Sequence, residues 1–332
     1  MQFCRPRHRR LVLTAFFFLV IPGFVISGFG QTAPLEKPLA PNPKHFDHVL
    51  IVVLENQSYE SAVTDDVLKS IAQKGVSFTN FGNLYHHSYP NYLAMIAGSD
   101  FNKHQRLNSD GQVDFPDDND HRTIADLLNW KNYAEDYPSQ PTDQKPFLDD
   151  RRGKYARKHV PFMSFRAVQS KTFHNVVGVN THDTNNAFVS DIRNFIANSQ
   201  KHPLPEYIFY SPNMDDDGHD PIFHPKVGLK NSSNWLKDFL TSWLNFDPAT
   251  WLPKDEALKH TLVIITYDES EGNKKPERIY TVFLGDMVKP QEVSTAVNHY
   301  SVLRTIEDNF GAQPLHKDSG DGAAQVITGI WK

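Results

Sequence analysis

The sequence predicts a three-layer α/β sandwich with a central, mostly parallel sheet and helices on both faces. Two observations carry this expectation. The runs Val49-Leu50-Ile51-Val52-Val53-Leu54 and Leu262-Val263-Ile264-Ile265-Thr266-Tyr267 are continuously apolar or β-branched, the pattern of strands covered on both faces. From His48 onward, strand-like and helix-like segments alternate, which is how parallel sheets are connected. Each apolar run leads straight into oxygen ligands, Glu55-Asn56 and Asp268-Glu269. In open sheets of this kind ligands bind beyond the carboxyl ends of the strands. The two strand ends therefore suggest one shared hard-cation site.

The chain has 332 residues, 39% hydrophobic and 22% charged, an ordinary globular composition. Its N-terminus is distinct. Arg5, Arg7, Arg9 and Arg10 precede the almost wholly apolar stretch from Leu11 to Phe29, which ends in small residues. This fits a secretory signal over residues 1–30, cut near Gly30-Gln31. The run is long enough to span a bilayer, but Pro22 and the nearby glycines favour cleavage. The expectation is a secreted or periplasmic protein with no stable membrane insertion after cleavage. The one cysteine, Cys4, precedes that cut, so the mature chain would hold no disulfide. Losing those four arginines makes the formal charge of −5 four units more negative. That balance argues against nucleic acid as a partner.

Residues 31–46 are proline-rich and read as an extended lead-in, and 47–332 as one domain. Strands are expected at 48–54, 76–80, 174–179, 206–210, 261–267 and 278–284. Helices are expected near 65–74, 90–97, 122–130, 184–198, 232–245 and 300–310.

Four further segments add chemistry. In His86-His87-Ser88-Tyr89-Pro90-Asn91, Pro90 suits a first helical turn and Gly98 ends the helix,. Ser88 then sits at the helix N-terminus, either as a plain cap or with its hydroxyl beside amides that can receive a phosphate. The loop Asp215-Asp216-Asp217-Gly218-His219-Asp220 follows the strand Tyr207–Tyr210. Its Asp and His residues can hold a metal or protonate a leaving group. His159 precedes Val160-Pro161, and His299 precedes the helical run from Tyr300.

Taken in order, several motifs resemble one family. They are Glu55-Asn56-Gln57-Ser58-Tyr59, Ser88 to Ala94, Trp130 to Glu135, Tyr155 to His159, Asp217 to Asp220, Asp268-Glu269 and His299-Tyr300-Ser301. The chain resembles the phosphoesterase family of bacterial acid phosphatases and phospholipases C, within the alkaline-phosphatase-like superfamily. The resemblance spans about residues 46–311. It implies a serine nucleophile, Ser88, and a divalent cation (Zn, Ca or Mg) held by Glu55, Asn56, Asp268 and Glu269. It places His159, His219 and His299 around the phosphate and leaving group, with Asn91, Asp217 and Asp220 as substrate-binding side chains.

One departure bears on substrate. Phospholipase-type members continue the acidic pair into a glycine-rich stretch ending in Asp-His, whereas here Asp268-Glu269 leads through Lys274-Lys275-Pro276 into the strand from Ile279. The expectation is therefore a phosphomonoesterase of acid-phosphatase type acting on a small phosphorylated substrate. Phosphodiesterase activity is the alternative, and a phosphate- or metal-binding protein with a degraded site is the non-enzymatic one. A sulfatase is disfavoured, because Tyr92 stands where its modification motif needs Arg. Histidines around the phosphate would be cationic below their usual pKa of about 6.5, favouring an acidic optimum.

Overall fold

A computed structural model describes residue 1 and residues 42–101, 112–140, 142–219, 225–272 and 277–332, with backbone only at 225. The expected signal segment, most of the lead-in and Asp220 lie outside the described residues. Among the described residues no helix is long and apolar enough to cross a membrane.

The core is an eight-stranded sheet. In chain order its strands are β1 (His48–Leu54), β2 (Val76–Phe78), β3 (Trp130–Glu135), β4 (Val176–Val179), β5 (Tyr207–Ser211), β6 (Thr261–Tyr267), β7 (Thr281–Leu284) and β8 (Gln291–Val293). Across the sheet the order is β8-β2-β7-β6-β1-β5-β3-β4. All pairings are parallel except the two made by β7, which runs against both β6 and β2. The mostly parallel α/β sandwich expected from the sequence is the fold.

The two apolar runs lie side by side at its centre. β1 and β6 pair from His48↔Thr261 to Leu54↔Tyr267, and every residue of both is buried. Their equal length and shared register bring Glu55 and Asp268 to the same level one step beyond the strands. The backbone continues the pairing, with the Asp268 N–H donating to the Leu54 carbonyl at 2.9 Å.

Five principal helices cover the sheet: α1 (Asp66–Lys74), α2 (Ser88–Ala97), α3 (Ala187–Ala197), α4 (Pro225–Asp238) and α5 (His299–Asn309). α1 is capped by Asp65, whose carboxylate accepts the Val67 and Leu68 N–H groups,. α2 is buried along all ten residues, as its all-round apolar composition requires. Gly98 closes it with φ +65°, a left-handed cap,.

One expected helix is absent. Residues 122–130 hold only a short 3-10 turn, Ile124–Asp126, and Trp130 begins β3 instead. The polar residues of Trp130-Lys131-Asn132-Tyr133-Ala134-Glu135 obscured a strand paired on both sides, next to the sheet edge. Tertiary partners make their burial tolerable. Asn132 donates to the Phe209 carbonyl at 3.2 Å and Ser211 Oγ at 3.3 Å. Glu135 accepts from the Tyr210 hydroxyl at 2.9 Å, Trp235 Nε1 at 3.0 Å and the Asn213 N–H at 2.9 Å. Burial pushes the Glu135 carboxyl up to about 8.

A second buried carboxyl braces α5. Glu307 accepts the Leu315 N–H at 3.1 Å, and burial together with the neighbouring Asp321 charge pushes it up to about 9. A carboxyl with a raised folded pKa stabilises the fold fully below its unfolded value and loses that contribution as pH rises through the folded value. Stability should therefore fall between about pH 5 and pH 9, by at most about 1.4 kcal/mol per pH unit from this group. Glu307→Gln should flatten that slope in denaturant titrations at several pH values; an unchanged slope would show that Glu307 does not hold a proton in the native state.

Candidate active site

The site forms where the carboxyl ends of β1, β5 and β6 meet the N-terminus of α2. Directly after β1, Glu55 is 1% exposed. Its N–H donates to the Asp217 carbonyl at 2.7 Å, which ties the loop after β5 to the end of β1. Asn56 adopts φ +54°, a left-handed conformation that Asn tolerates better than most residues. The turn aims its N–H at Asp268 Oδ1, 3.0 Å away. The same oxygen accepts the Glu269 N–H at 2.6 Å.

These contacts leave two buried oxygens, Asn56 Oδ1 and Asp268 Oδ2, without a hydrogen-bond partner among the described residues. Unpaired buried oxygens are costly, and a hard cation is what oxygen-rich clusters of this kind accept. Burial, and then the charges of Glu55 and Glu269, push the Asp268 carboxyl well above the usual carboxylate range. Glu55 goes the other way: burial opposes its charge, but His159 and Lys158 hold it well below that range. Three buried carboxylates, Glu55, Asp268 and Glu269, lie close enough for their charges to act on one another, and the donor set fits a divalent cation.

A second grouping overlaps the first. Ligand atoms of Glu55, His159 and Asp217 all lie within 4.8 Å of one another, spacing that could also hold a metal. His159 Nε2 meets Glu55 Oε1 in a short contact, and its Nδ1 lies 3.9 Å from Asp217 Oδ2. The Tyr92 ring stacks on His159 with centroids 5.1 Å apart. His219 Nδ1 lies 2.9 Å from Glu55 Oε2, and its N–H donates to Asp217 Oδ1 at 2.9 Å. Gly218 between them has φ +104°, and a Cβ there would meet Ser232 Oγ at 3.0 Å and the Glu55 carbonyl at 3.3 Å. The positive φ strains any residue with a side chain here, and the approach is tight as well,.

Ser88 is the first residue of α2. Its hydroxyl does not cap the helix. It donates to Glu269 Oε1 at 3.1 Å and accepts from Lys158 Nζ at 3.2 Å. Lys158 Nζ also lies 3.4 Å from Glu55 Oε1. On the far side, Glu269 Oε2 is held at 2.9 Å by His86 Nδ1. The sequence reading singled out neither Lys158 nor His86. The signal was adjacency: Lys158 precedes His159, and His86 lies two residues before Ser88.

The three histidines differ in setting. The His219 side chain is 28% exposed, whereas that of His159 is 4% exposed. His299 is fully buried, with Nε2 at 2.8 Å from the Asp268 carbonyl. Burial lowers its pKa to about 4, so it is neutral at mildly acid pH and braces the Asp268 backbone. It therefore does not supply the cationic charge expected of it. Asn91 is also committed to structure. Its Oδ1 accepts the Leu84 N–H at 2.9 Å, and its Nδ2 donates to the Tyr85 and His87 carbonyls at 2.9 and 3.1 Å. It shapes the turn that presents Ser88, with no donor of its side chain left over for a substrate.

Comparisons with known proteins bear on the family and the fold. The model of the phosphoesterase family matches residues 63–313. A Kluyveromyces lactis protein named probable acid phosphatase is 31% identical over 291 residues, covering 83% of this chain and 61% of its own length. A phosphate-repressible acid phosphatase of Penicillium chrysogenum is 28% identical over 85% of this chain and 63% of its own. The chain thus spans about three fifths of those fungal relatives. A phosphatidylinositol-3-phosphatase of Mycobacterium tuberculosis is 28% identical over 86% of this chain and 83% of its own. A protein of the alkaline phosphatase superfamily from Vibrio parahaemolyticus superposes with a TM-score of 0.54 at 12% identity, covering 89% of this chain and 76% of that one, which shows a common fold.

The charge imbalance generates a prediction about metal. Asp268→Asn keeps an Oδ1 acceptor for the Asn56 and Glu269 N–H groups and puts a neutral amide where burial and the neighbouring carboxylates disfavour a charged carboxyl. The metal-free variant should melt at or above the wild-type temperature. Wild type should gain about 2.7 kcal/mol at a divalent-cation concentration a hundred times Kd, and the variant should gain almost nothing. Thermal melts with and without cation check this; an equal gain in both would remove Asp268 from the ligand set.

Proposed function

This chain belongs to the phosphoesterase family, and from that premise we propose that it is a metal-dependent phosphoric-ester hydrolase using Ser88 as nucleophile. The observation that carries the reading is the Ser88 hydroxyl on Glu269 Oε1, beside the unpartnered Asn56 and Asp268 oxygens. We assign Glu55, Asn56, Asp268 and Glu269 as the cation ligands. When bound, the cation would supply charge neutralisation for a phosphoryl oxygen and favour ionisation of the serine.

The chain's own residues then divide the work. Ser88 Oγ attacks phosphorus in line, giving a phosphoserine. Its proton has a ready acceptor in Glu269 Oε1 at 3.1 Å. The free N–H groups at the start of α2, of which Pro90 supplies none, would favour the incoming negative charge, as helix N-termini do for phosphate. His219, the most exposed of the three histidines assigned to the site, is the group we assign to protonate the leaving oxygen and later to activate water. His159 holds Glu55, and His299 holds the Asp268 backbone. Since the transition state is loose and charge-rich, position and charge should dominate over covalent assistance.

The substrate we favour is a phosphomonoester. The similarity to acid phosphatases and to a phosphatidylinositol-3-phosphatase supports this, as does the missing Asp-His after the acidic pair. We also read residues 1–30 as a secretory signal that delivers the remaining chain to the periplasm or exterior.

Ser88→Ala should lower turnover of p-nitrophenyl phosphate by at least about 10³-fold without changing the melting temperature. Near-wild-type turnover would remove Ser88 as nucleophile. Wild type should hydrolyse the monoester in preference to bis(p-nitrophenyl) phosphate, and the reverse preference would favour a phosphodiesterase. His219→Asn should cost about 10²–10⁴-fold with alkyl phosphates, whose leaving oxygen needs a proton. On the first turnover, before water is activated, it should cost much less with p-nitrophenyl phosphate. Equal first-turnover losses on both substrates would show that His219 is not the leaving-group acid.

A further inference from the structure

We propose that Lys158 is a catalytic residue, a fixed cation that holds the Ser88 oxygen for attack and stays on the phosphoryl group once it has been transferred. The assignment rests on Ser88 being the nucleophile. Its basis is local geometry. Lys158 Nζ lies 3.2 Å from Ser88 Oγ and 3.4 Å from Glu55 Oε1, and the side chain is only 12% exposed. A lysine normally keeps its ammonium in water. This one is turned inward onto a serine hydroxyl.

The backbone around it is tightly fixed. Lys158 lies in the 3-10 turn Arg157–His159. Arg157 is 5% exposed. It donates to the Leu148 and Met163 carbonyls at 2.9 and 2.8 Å and pairs with Asp114. On the other side, the His159 carbonyl accepts from Ser211 Oγ at 2.7 Å. The ammonium therefore meets the serine without a flexible loop having to order first, which is what preorganised electrostatic stabilisation requires.

Ser88 Oγ lies between opposite charges. Glu269 receives its proton on one side and Lys158 donates to it on the other. As the Oγ–P bond forms, the bond from phosphorus to the leaving oxygen breaks and the serine proton passes to Glu269. The leaving oxygen takes its proton from His219 or water. Lys158 gives up no proton in this sequence. Its positive charge offsets the negative charge that moves from the alkoxide onto the phosphoryl oxygens, and Glu55 on its other side keeps it in place.

The test uses the full mature enzyme with saturating divalent cation and p-nitrophenyl phosphate, alongside orthovanadate binding by calorimetry. Lys158→Ala should lower kcat by about 10²–10³-fold, as loss of one preorganised donor does. Added ethylamine should restore part of that rate saturably, and Lys158→Arg should fall between. Lys158→Met, which keeps the apolar stem, should stay folded with a melting temperature lowered by the loss of the Glu55 contact, yet bind orthovanadate at least about tenfold more weakly. The proposal is overturned if kcat of Lys158→Ala stays within about threefold of wild type. It is also overturned if the loss resists ethylamine and the variants bind orthovanadate normally, since Lys158 would then only shape Glu55. Ser88→Ala runs in parallel. If that variant stays active, the nucleophile assignment fails and Lys158 falls with it; if it is dead while Lys158→Ala is active, Lys158 alone is wrong.

Discussion

Three carboxylates, Glu55, Asp268 and Glu269, meet out of water at the ends of two adjacent parallel strands, and the rest of the site follows from that crowding. Like charges buried together cannot all ionise unless something positive joins them. The protein supplies part of that charge itself. Lys158 and His159 lie on Glu55 and hold it down. What they leave over is seen in Asp268, whose carboxyl is pushed upward while Glu55 is held down. The unpartnered oxygens of Asn56 and Asp268 point to the same deficit. Cation binding, as proposed above, would relieve that deficit, and crowded charges of this kind are common at functional centres.

The sheet makes the crowding unavoidable. Because β1 and β6 pair in register over their whole length, their following residues have to emerge together. The left-handed turn at Asn56 and the tight approach of Gly218 to the Glu55 carbonyl then bring the end of β5 into the same space. α2, buried on every side, fixes Ser88 against Glu269 with little freedom. Precision here comes from rigid elements, with loops contributing mainly His219.

Much of this was legible in the sequence, for identifiable reasons. Continuous β-branched runs announce central strands, and oxygen ligands directly after them announce a site, so Glu55-Asn56 and Asp268-Glu269 could be paired across some two hundred residues. The α2 turn was legible through Pro90 and Gly98. β3 was not, because Asn132 and Glu135 are polar residues whose burial depends on Phe209, Tyr210, Asn213 and Trp235, partners far along the chain. The roles of His299 and Asn91 were hidden for the same reason. Their types suit phosphate chemistry, and only the fold shows that one braces the Asp268 carbonyl and the other a turn. Lys158 stood inside the motif from Tyr155 to His159, but nothing in that motif set it apart from its neighbours.

The most direct test of this account is acid-quenched rapid mixing with a phosphomonoester, followed by peptide mass spectrometry. The account predicts phosphate on Ser88 of the wild-type enzyme, trapped with divalent cation present and lost when the cation is chelated. Phosphate trapped on another residue, or steady turnover with Ser88 never labelled, would contradict it.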